Sequence, residues 1–147
     1  MEYSRSLSRL QRLCSKAEYC RADIYRKALK DLEGDEEAAA KVVEALQADK
    51  YIDDARYAAA YAREKATLQG WGPVKIRFQL RGKGVSDSDI AAALEEIEPD
   101  KAEARLAKLL ESKAKTLKGD PQGRLKLIKF ALSRGYDYDV VKKMVQP

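Results

Sequence analysis

One pattern occurs twice in this 147-residue chain, and it constrains the fold more than any other feature. It consists of an apolar pair four residues apart, a basic residue followed by glycine, and another apolar residue six positions beyond the glycine. The copies lie 51 residues apart, at Ile76, Leu80, Lys83, Gly84 and Ile90 and at Leu127, Ala131, Arg134, Gly135 and Val141. The i,i+4 pairs indicate amphipathic helices, and glycine supplies the left-handed conformation that ends a helix. A weaker copy begins at Ile24 and Ala28, offset by 52, and lacks the basic-Gly step.

A period near 50 residues predicts an all-α array of tandem three-helix repeats. Ala, Leu, Lys, Glu and Arg dominate the composition, and no run alternates apolar and polar residues as a half-buried strand does. We expect a divergent first repeat over residues 1–52, a second repeat over residues 53–98 and a basic third repeat over residues 99–147.

Polar residues before the predicted helices are the main capping signals. Asp53 and Asp54 precede the fourth helix, and Asp120-Pro121 predicts the cap and first residue of the eighth. Two adjacent carboxylates could also hold a metal or act as a general base, but no second acidic pair is placed to complement them. Capping is therefore the expected role, and we predict no metal site, no cofactor and no catalytic residue.

The composition excludes several functional classes. Because the chain has no histidine, it cannot carry a Ser-His-Asp or Cys-His catalytic arrangement or a His-ligated metal. Cys14 and Cys20 lie six residues apart, on nearly opposite sides of a helix, so we expect reduced structural thiols. No apolar run approaches 18 residues, and the amino terminus lacks the apolar core of a secretory signal. These features favour a cytoplasmic, monomeric protein that is not an enzyme.

The net charge of +5 is distributed unevenly along the chain. Residues 1–52 are neutral, residues 53–100 carry −2 and residues 101–147 carry +7. Within the middle segment, residues 63–83 hold six basic residues and one acid, whereas the remaining acids lie outside this stretch. Such segregation favours a basic surface for an anionic partner, although any single Lys or Arg is more simply a solvated side chain.

Trp71 is the only tryptophan and lies at a helix entry, in the segment 70–73 of sequence Gly-Trp-Gly-Pro. This position favours a packing anchor similar to a hydrophobic staple, with an exposed recognition aromatic as the open alternative. Tyr57 and Tyr61 are four residues apart and are expected to be partly buried rather than to stack on bases. The glycine-rich segment lacks the Lys-Ser/Thr step of a phosphate-binding loop.

Residues 52–94 resemble the RecX family of bacterial regulatory proteins in the order, spacing and identity of about 40 positions. The third repeat, with Phe130 and the run Arg134-Gly135-Tyr136, is similar to the carboxyl-terminal repeat of that family. The first repeat departs most, because it lacks the basic-Gly step. The positions that carry the structural signature are Asp53, Asp54, Tyr57, Trp71, Gly72, Pro73, Ile76, Leu80, Gly84 and Gly135.

The resemblance implies three tandem three-helix repeats in an elongated, curved, right-handed array that modulates the RecA recombinase in DNA repair and the SOS response. The family binds the RecA–single-stranded-DNA filament, in its helical groove, and usually blocks filament growth, ATP hydrolysis, strand exchange and repressor co-cleavage. RecA, its filament and single- or double-stranded DNA are therefore the expected partners. The basic residues expected to contact them are Arg63, Lys65, Lys75, Arg77, Arg81, Lys83, Lys126, Lys129 and Arg134.

Two other functions stay open at the level of sequence. A stand-alone helical nucleic-acid-binding protein would need a recognition helix with Arg, Asn or Gln near its start. The helices after the two repeat glycines instead begin with residues 86–89 and 137–139, whose acids would repel phosphates. A generic helical scaffold would have no effect on RecA.

Overall fold

Nine α-helices form the regular structure of residues 1–145, which are the residues that the computed structural model describes. They are α1 (Tyr3–Lys16), α2 (Arg21–Asp31), α3 (Glu36–Ala48), α4 (Asp54–Thr67), α5 (Pro73–Gly82), α6 (Asp87–Glu95), α7 (Pro99–Thr116), α8 (Gly123–Ser133) and α9 (Tyr138–Met144). No strand occurs within this range, so the prediction of an all-α fold is confirmed.

The contacts between residues divide the chain into two compact units. Unit 1 comprises Met1–Ala60 and Leu80–Ala92, and unit 2 comprises Tyr61–Gln79 and the chain from Ala93 onward. Helices α4, α5 and α6 each contribute residues to both units. Three helices fall within each predicted repeat, while the exact repeat boundaries after residues 52 and 98 stay a prediction.

The core of unit 1 is built where α1, α2 and α3 pack together. Leu10 of α1, Ile24 of α2 and Leu46 of α3 are fully buried in one apolar cluster. At the edge of this cluster, Asp31 accepts hydrogen bonds from the buried Ser6 hydroxyl and, through both carboxylate oxygens, from the Arg9 guanidinium. A forked contact of this kind fixes the position of α1 against α2.

The core of unit 2 joins the last three helices. Leu106 and Leu110 of α7 pack with Ile128 and Ala131 of α8, and Val141 of α9 closes the cluster. The repeat pattern predicted Leu127 as the core residue of this helix, whereas Ile128 is the more deeply buried of the two. Both side chains contribute, because the first is partly buried against the cluster that the second helps to form.

Helices α2, α5 and α8 each end with the same kind of backbone hydrogen bond, and these bonds recur at a fixed interval along the chain. The amide of Gly34 donates to the carbonyl of Leu29, that of Val85 to Leu80, and that of Tyr136 to Ala131. These bonds lie 51 residues apart, and each spans six residues, as in a Schellman motif. In the first copy the residue equivalent to Gly84 and Gly135 is Glu33, which adopts the left-handed conformation at φ 55°. The buried residues Ile24 and Ala28 therefore lie 52 positions before their counterparts in the second copy, whereas Glu33 at the helix end lies 51 positions before Gly84.

The capping predictions are confirmed at the fourth helix but not at the eighth. Asp53 accepts a hydrogen bond from the amide of Arg56 at 3.1 Å, while Asp54 accepts one from the amide of Arg21 at the start of α2, at 2.8 Å. The second carboxylate thus caps a helix of another repeat. The prediction that α8 starts at Asp120-Pro121 was wrong by two residues: this dipeptide forms a turn closed by the amide of Gly123, and α8 begins at that glycine.

Gly72 and Gly135 allow two connecting turns of unit 2 to meet backbone against backbone. The amide of Gly72 donates to the carbonyl of Arg134 at 2.7 Å, and the amide of Val74 donates to the carbonyl of Gly135 at 2.9 Å. A Cβ atom on Gly72 would lie 2.4 Å from that carbonyl oxygen, and one on Gly135 would lie 2.2 Å from the Cβ of Lys75. Only glycine therefore fits at either position.

Alanine at Gly135 should destabilise unit 2 much more than alanine at Gly119. Both glycines have positive φ, 93° and 83°, but no atom lies within 4 Å of a Cβ built on Gly119. Gly119→Ala should therefore cost only the left-handed backbone, about 1–2 kcal/mol. Gly135→Ala should add an overpacking cost of about 1–3 kcal/mol, measurable by urea denaturation followed by circular dichroism. Equal destabilisation by the two variants would contradict the close approach.

Candidate functional site

Four of the nine predicted basic residues are ion-paired to carboxylates within their own unit. In unit 1 the pairs are Arg81–Asp87 at 2.9 Å and Lys83–Asp23 at 3.1 Å, and in unit 2 they are Arg63–Glu96 at 3.3 Å and Lys126–Asp120 at 2.7 Å. A cation that already holds a carboxylate is less available to an anionic partner, because the partner must compete with that carboxylate. The sequence alone did not reveal these pairings.

Two further members of the set, Arg77 and Lys129, are exposed and carry no ion pair or side-chain hydrogen bond to any of residues 1–145. Both belong to unit 2, one on α5 and the other on α8. Arg77 lies beside Phe78, which is 73% exposed, and Val74 on the same helix is 43% exposed. This face of α5 thus combines positive charge with accessible apolar surface.

The remaining three predicted residues, Lys65, Lys75 and Arg134, lie over aromatic rings. The Nζ atom of Lys75 is 4.3 Å from the centre of the Trp71 ring, and that of Lys65 is 5.0 Å from the same centre. Lys65 is also 5.4 Å from the ring of Tyr61, which packs edge-on against Trp71 with its centre 6.3 Å away. Each such contact contributes about 0.5–1 kcal/mol at a partly exposed site.

A second ring of unit 2 is contacted in the same way. The guanidinium of Arg134 lies 5.2 Å from the centre of the Phe130 ring, and the Nζ atom of Lys113 lies 5.3 Å from it. Phe130 and both cations are half-buried. None of the four cations that contact Trp71 or Phe130 has an ion pair with a carboxylate among residues 1–145.

The glycine contact brings these two clusters together. Gly72 follows Trp71 directly and binds the carbonyl of Arg134, and Lys75 lies against the backbone of Gly135. The hydroxyl of Tyr136 donates to the carbonyl of Gly70 at 3.0 Å, which fixes the turn on the other side of Trp71. We call the resulting group the ring–cation surface; it consists of Tyr61, Trp71, Phe130, Lys65, Lys75, Lys113 and Arg134.

Trp71 packs as an anchor, and its role as a recognition aromatic stays a prediction. Its ring is half-buried against Tyr61, as a packing anchor would be, yet part of it stays accessible. Burial raises the pKa of the Tyr61 hydroxyl, and the nearby charge of Glu64 raises it further. Tyr57 and Tyr61 are both partly buried, as expected.

Sequence reasoning missed Lys113 as a site residue and used Phe130 only as part of the family resemblance. The spacing of Phe130 and Arg134, four apart on one helix, was a local signal that the two could touch. No local signal linked Lys113 to Phe130, because the two lie on different helices. Val74 and Phe78 were also missed, although their spacing places both on one side of α5.

A polar contact between Lys83 and Asp23 holds the end of α5 in unit 1. Burial raises the pKa of the Asp23 carboxyl, but the hydrogen bond from Lys83 opposes it most strongly. Further hydrogen bonds from Cys20 and Arg26 add to this effect, so that the pKa lies below its ordinary value of 3.8. This lysine therefore serves the structure of unit 1.

Both cysteine thiols are free, and neither is activated. Burial raises the pKa of the Cys14 and Cys20 thiols, which keeps them protonated at neutral pH. No group of three or more potential metal ligands occurs among residues 1–145. Within the same range no helix is both long and apolar enough to cross a membrane.

Comparison with known proteins gives a consistent family match. Residues 53–94 match the family model described as RecX, second three-helix domain. The chain is 33% identical over 116 residues to a regulatory protein RecX of Clostridium botulinum (strain Alaska E43 / Type E3), covering 76% of this chain and 54% of the relative. It is 33% identical over 132 residues to that of Limosilactobacillus reuteri (strain DSM 20016), covering 86% of this chain and 49% of the relative. The chain spans about half the length of the curated relatives it matches.

Two solved structures are similar to this one. A crystal structure of regulatory protein RecX aligns with a TM-score of 0.85 at 28% identity, covering 94% of this chain and 68% of the other. A crystal structure of RecX from Lactobacillus salivarius aligns with a TM-score of 0.87 at 23% identity, covering 98% and 94%, and supports the fold alone.

Asp23→Asn should destabilise unit 1 in a pH-dependent manner. Because the folded-state pKa of Asp23 is depressed, its stabilising effect is present above the unfolded-state pKa and is lost as pH falls through the folded-state value. The variant should be less stable at pH 7 by about 0.5–1 kcal/mol, since the pair is partly exposed. This difference should shrink as pH falls below about 4. Urea denaturation of both proteins from pH 7 to pH 2 measures it, and a constant difference would contradict the assignment.

Proposed function

Because the chain belongs to the RecX family of regulatory proteins, we propose that it binds the RecA–single-stranded-DNA filament and inhibits the activities of RecA. Its effect would extend to the ATPase, recombinase and co-protease activities, and so to DNA repair and the SOS response. The protein would act by binding and not by catalysis. The family match over residues 53–94 and the similarity to curated relatives support this proposal.

The observation that carries the proposal is the state of the cations in unit 2. Arg77 and Lys129 are exposed without a carboxylate partner in the described chain, and Lys65, Lys75 and Arg134 lie over rings. Cations that hold no carboxylate can neutralise phosphates or an acidic protein surface at little cost. Such contacts release counterions, which gives binding that weakens as salt increases.

Inhibition would follow from contacts with several RecA protomers at once. Repeats that present basic side chains at regular spacing can touch successive protomers of a helical filament. A protein bound in this way favours the filament conformation that it fits, and it can shift the equilibrium only by its difference in affinity between conformations. Filament growth and ATP turnover, which need other conformations, would then slow.

A stand-alone nucleic-acid-binding protein is the second candidate, and the ring–cation surface is the observation that favours it. Recognition through a helix in the major groove is disfavoured. The helices after the repeat glycines, α6 and α9, begin with Asp87 and with Tyr138-Asp139, and Asp137 caps the second of them. A RecA ATPase titration with a DNA-only binding control separates the two functions.

Arg77→Glu should weaken inhibition of the single-stranded-DNA-dependent ATPase of RecA. Reversing an exposed charge without an ion-pair partner in the described chain should raise the concentration for half-inhibition about tenfold, equivalent to about 1.4 kcal/mol. Arg81 is left unchanged, because glutamate there would face Asp87 and disturb unit 1.

The matched control for this test is Arg12→Glu. Arg12 is exposed on α1 of unit 1 and carries the same change of charge. It should inhibit as the unmodified protein does, and both variants should keep the helical circular-dichroism signal. Equal inhibition by the unmodified protein and Arg77→Glu would remove α5 from the contact surface.

A further inference from the structure

The ring–cation surface gathers four cations over the rings of Trp71 and Phe130. Lys65, Lys75, Lys113 and Arg134 are half-buried, yet none holds a carboxylate among residues 1–145. In unit 1 the half-buried Arg9 and Lys83 each hold an aspartate, whereas the half-buried Lys27 lies over one ring, that of Tyr19, at 5.7 Å. Unit 2 differs in bringing four such cations together over two rings. A partly buried Lys or Arg covers apolar surface with its stem and keeps its charged group in water, so these four charges stay available to an anion.

The aromatic rings position these cations but bind them only weakly. A ring face attracts an ammonium or guanidinium group through its quadrupole, but far less strongly than a carboxylate or phosphate does. The cations are therefore positioned in the free protein and can be transferred to an anion at small cost. When they move to an anion, they uncover the face of the ring beneath them.

Single-stranded DNA has the chemistry that this arrangement would recognise. Proteins that bind single strands combine cations that follow the phosphates with aromatic side chains on which bases stack. Here Trp71 and Phe130 supply two rings, and the backbone contact between Gly72 and the carbonyl of Arg134 brings the turn that holds Trp71 to the end of α8, the helix that holds Phe130. Bases in a duplex are stacked on one another and cannot reach a half-buried ring, so an unpaired strand is required.

The acidic groups near the surface leave its cations available. The charge of Glu64 raises the pKa of the Tyr61 hydroxyl, and Glu96 forms an ion pair with Arg63, which is not part of the surface. Glu103 and Asp137 line an apolar cleft with Pro73 and Tyr136 on the neighbouring side of the turn. None of these carboxylates forms an ion pair with a cation of the surface.

We propose that the ring–cation surface of unit 2 is a binding site for single-stranded DNA, in which one base stacks on Trp71 and the cations bind the flanking phosphates. On binding, Lys65 and Lys75 move from the ring to the phosphates, and the base takes their place over the indole. Binding at this site does not require RecA. The inference rests on the proposed function only in taking the single strand to be DNA rather than RNA.

The fluorescence of Trp71 tests the site directly, because the chain has no other tryptophan. Titration with an oligothymidylate of about 15 nucleotides, long enough for one such site, should quench the emission in a saturable way. An abasic oligonucleotide of equal length should bind more weakly and leave the emission nearly unchanged. The logarithm of the binding constant should fall with that of salt concentration at a slope of about −2 to −3, for three or four phosphate contacts.

Three variants separate the site from general charge. Lys75→Gln and Phe130→Leu should each weaken oligothymidylate binding at least about fivefold, since each loses one of the contacts that hold the strand. Arg12→Gln, which removes an exposed charge of unit 1, should bind as the unmodified protein does. Circular dichroism checks that all three variants fold.

Three outcomes would overturn the proposal. These are emission that oligothymidylate does not quench, equal quenching by the abasic strand, and unchanged binding by both Lys75→Gln and Phe130→Leu. If the protein still inhibited the RecA ATPase in these cases, the proposed function would stand without this site. Conversely, oligothymidylate stacking without any effect on RecA would retain the site and reject the proposed function.

Discussion

The contact between Gly72 and Gly135 is the constraint on which unit 2 depends. Two turns that lie more than 60 residues apart in the chain exchange backbone hydrogen bonds there, at 2.7 and 2.9 Å. Side chains at either glycine would separate the turns, because a Cβ atom would overlap backbone or Lys75. The approach places the start of α5 beside the end of α8, and with it Trp71 and Lys75 beside Arg134. A structural requirement of the backbone thus assembles the ring–cation surface.

The distribution of carboxylates then decides which cations remain available. Arg63, Arg81, Lys83 and Lys126 hold acids and contribute to local structure. Of the nine predicted basic residues, the three over rings and the two exposed ones without partners in the described chain all belong to unit 2. The uneven charge that the sequence shows along its length is therefore refined by folding, which neutralises some of the basic residues and leaves others accessible.

Local features of the fold followed from the sequence, whereas contacts between distant segments did not. The repeat predicted that helices end at Gly84 and Gly135, because a glycine directly after an amphipathic run readily adopts the left-handed conformation that ends a helix. At the first copy the same helix end uses Glu33 with positive φ, which no residue preference would suggest. Capping of α2 by Asp54 and the contact of Lys113 with Phe130 depend on tertiary packing. For the same reason, the sequence identified nine basic residues but could not show which of them pair with carboxylates.

The charge around Trp71 is the quantity that tests this account most directly. Collisional quenching of its fluorescence by iodide and by caesium compares an anion and a cation at the same ring, when each ion's quenching is expressed relative to its quenching of free tryptophan at the same low ionic strength. Because Lys65 and Lys75 lie 5.0 and 4.3 Å from the centre of the ring, iodide should quench several-fold more efficiently than caesium. The preference should fall in the double variant Lys65→Gln, Lys75→Gln and with added salt. Equal quenching by the two ions in the unmodified protein would contradict a cationic surface at Trp71.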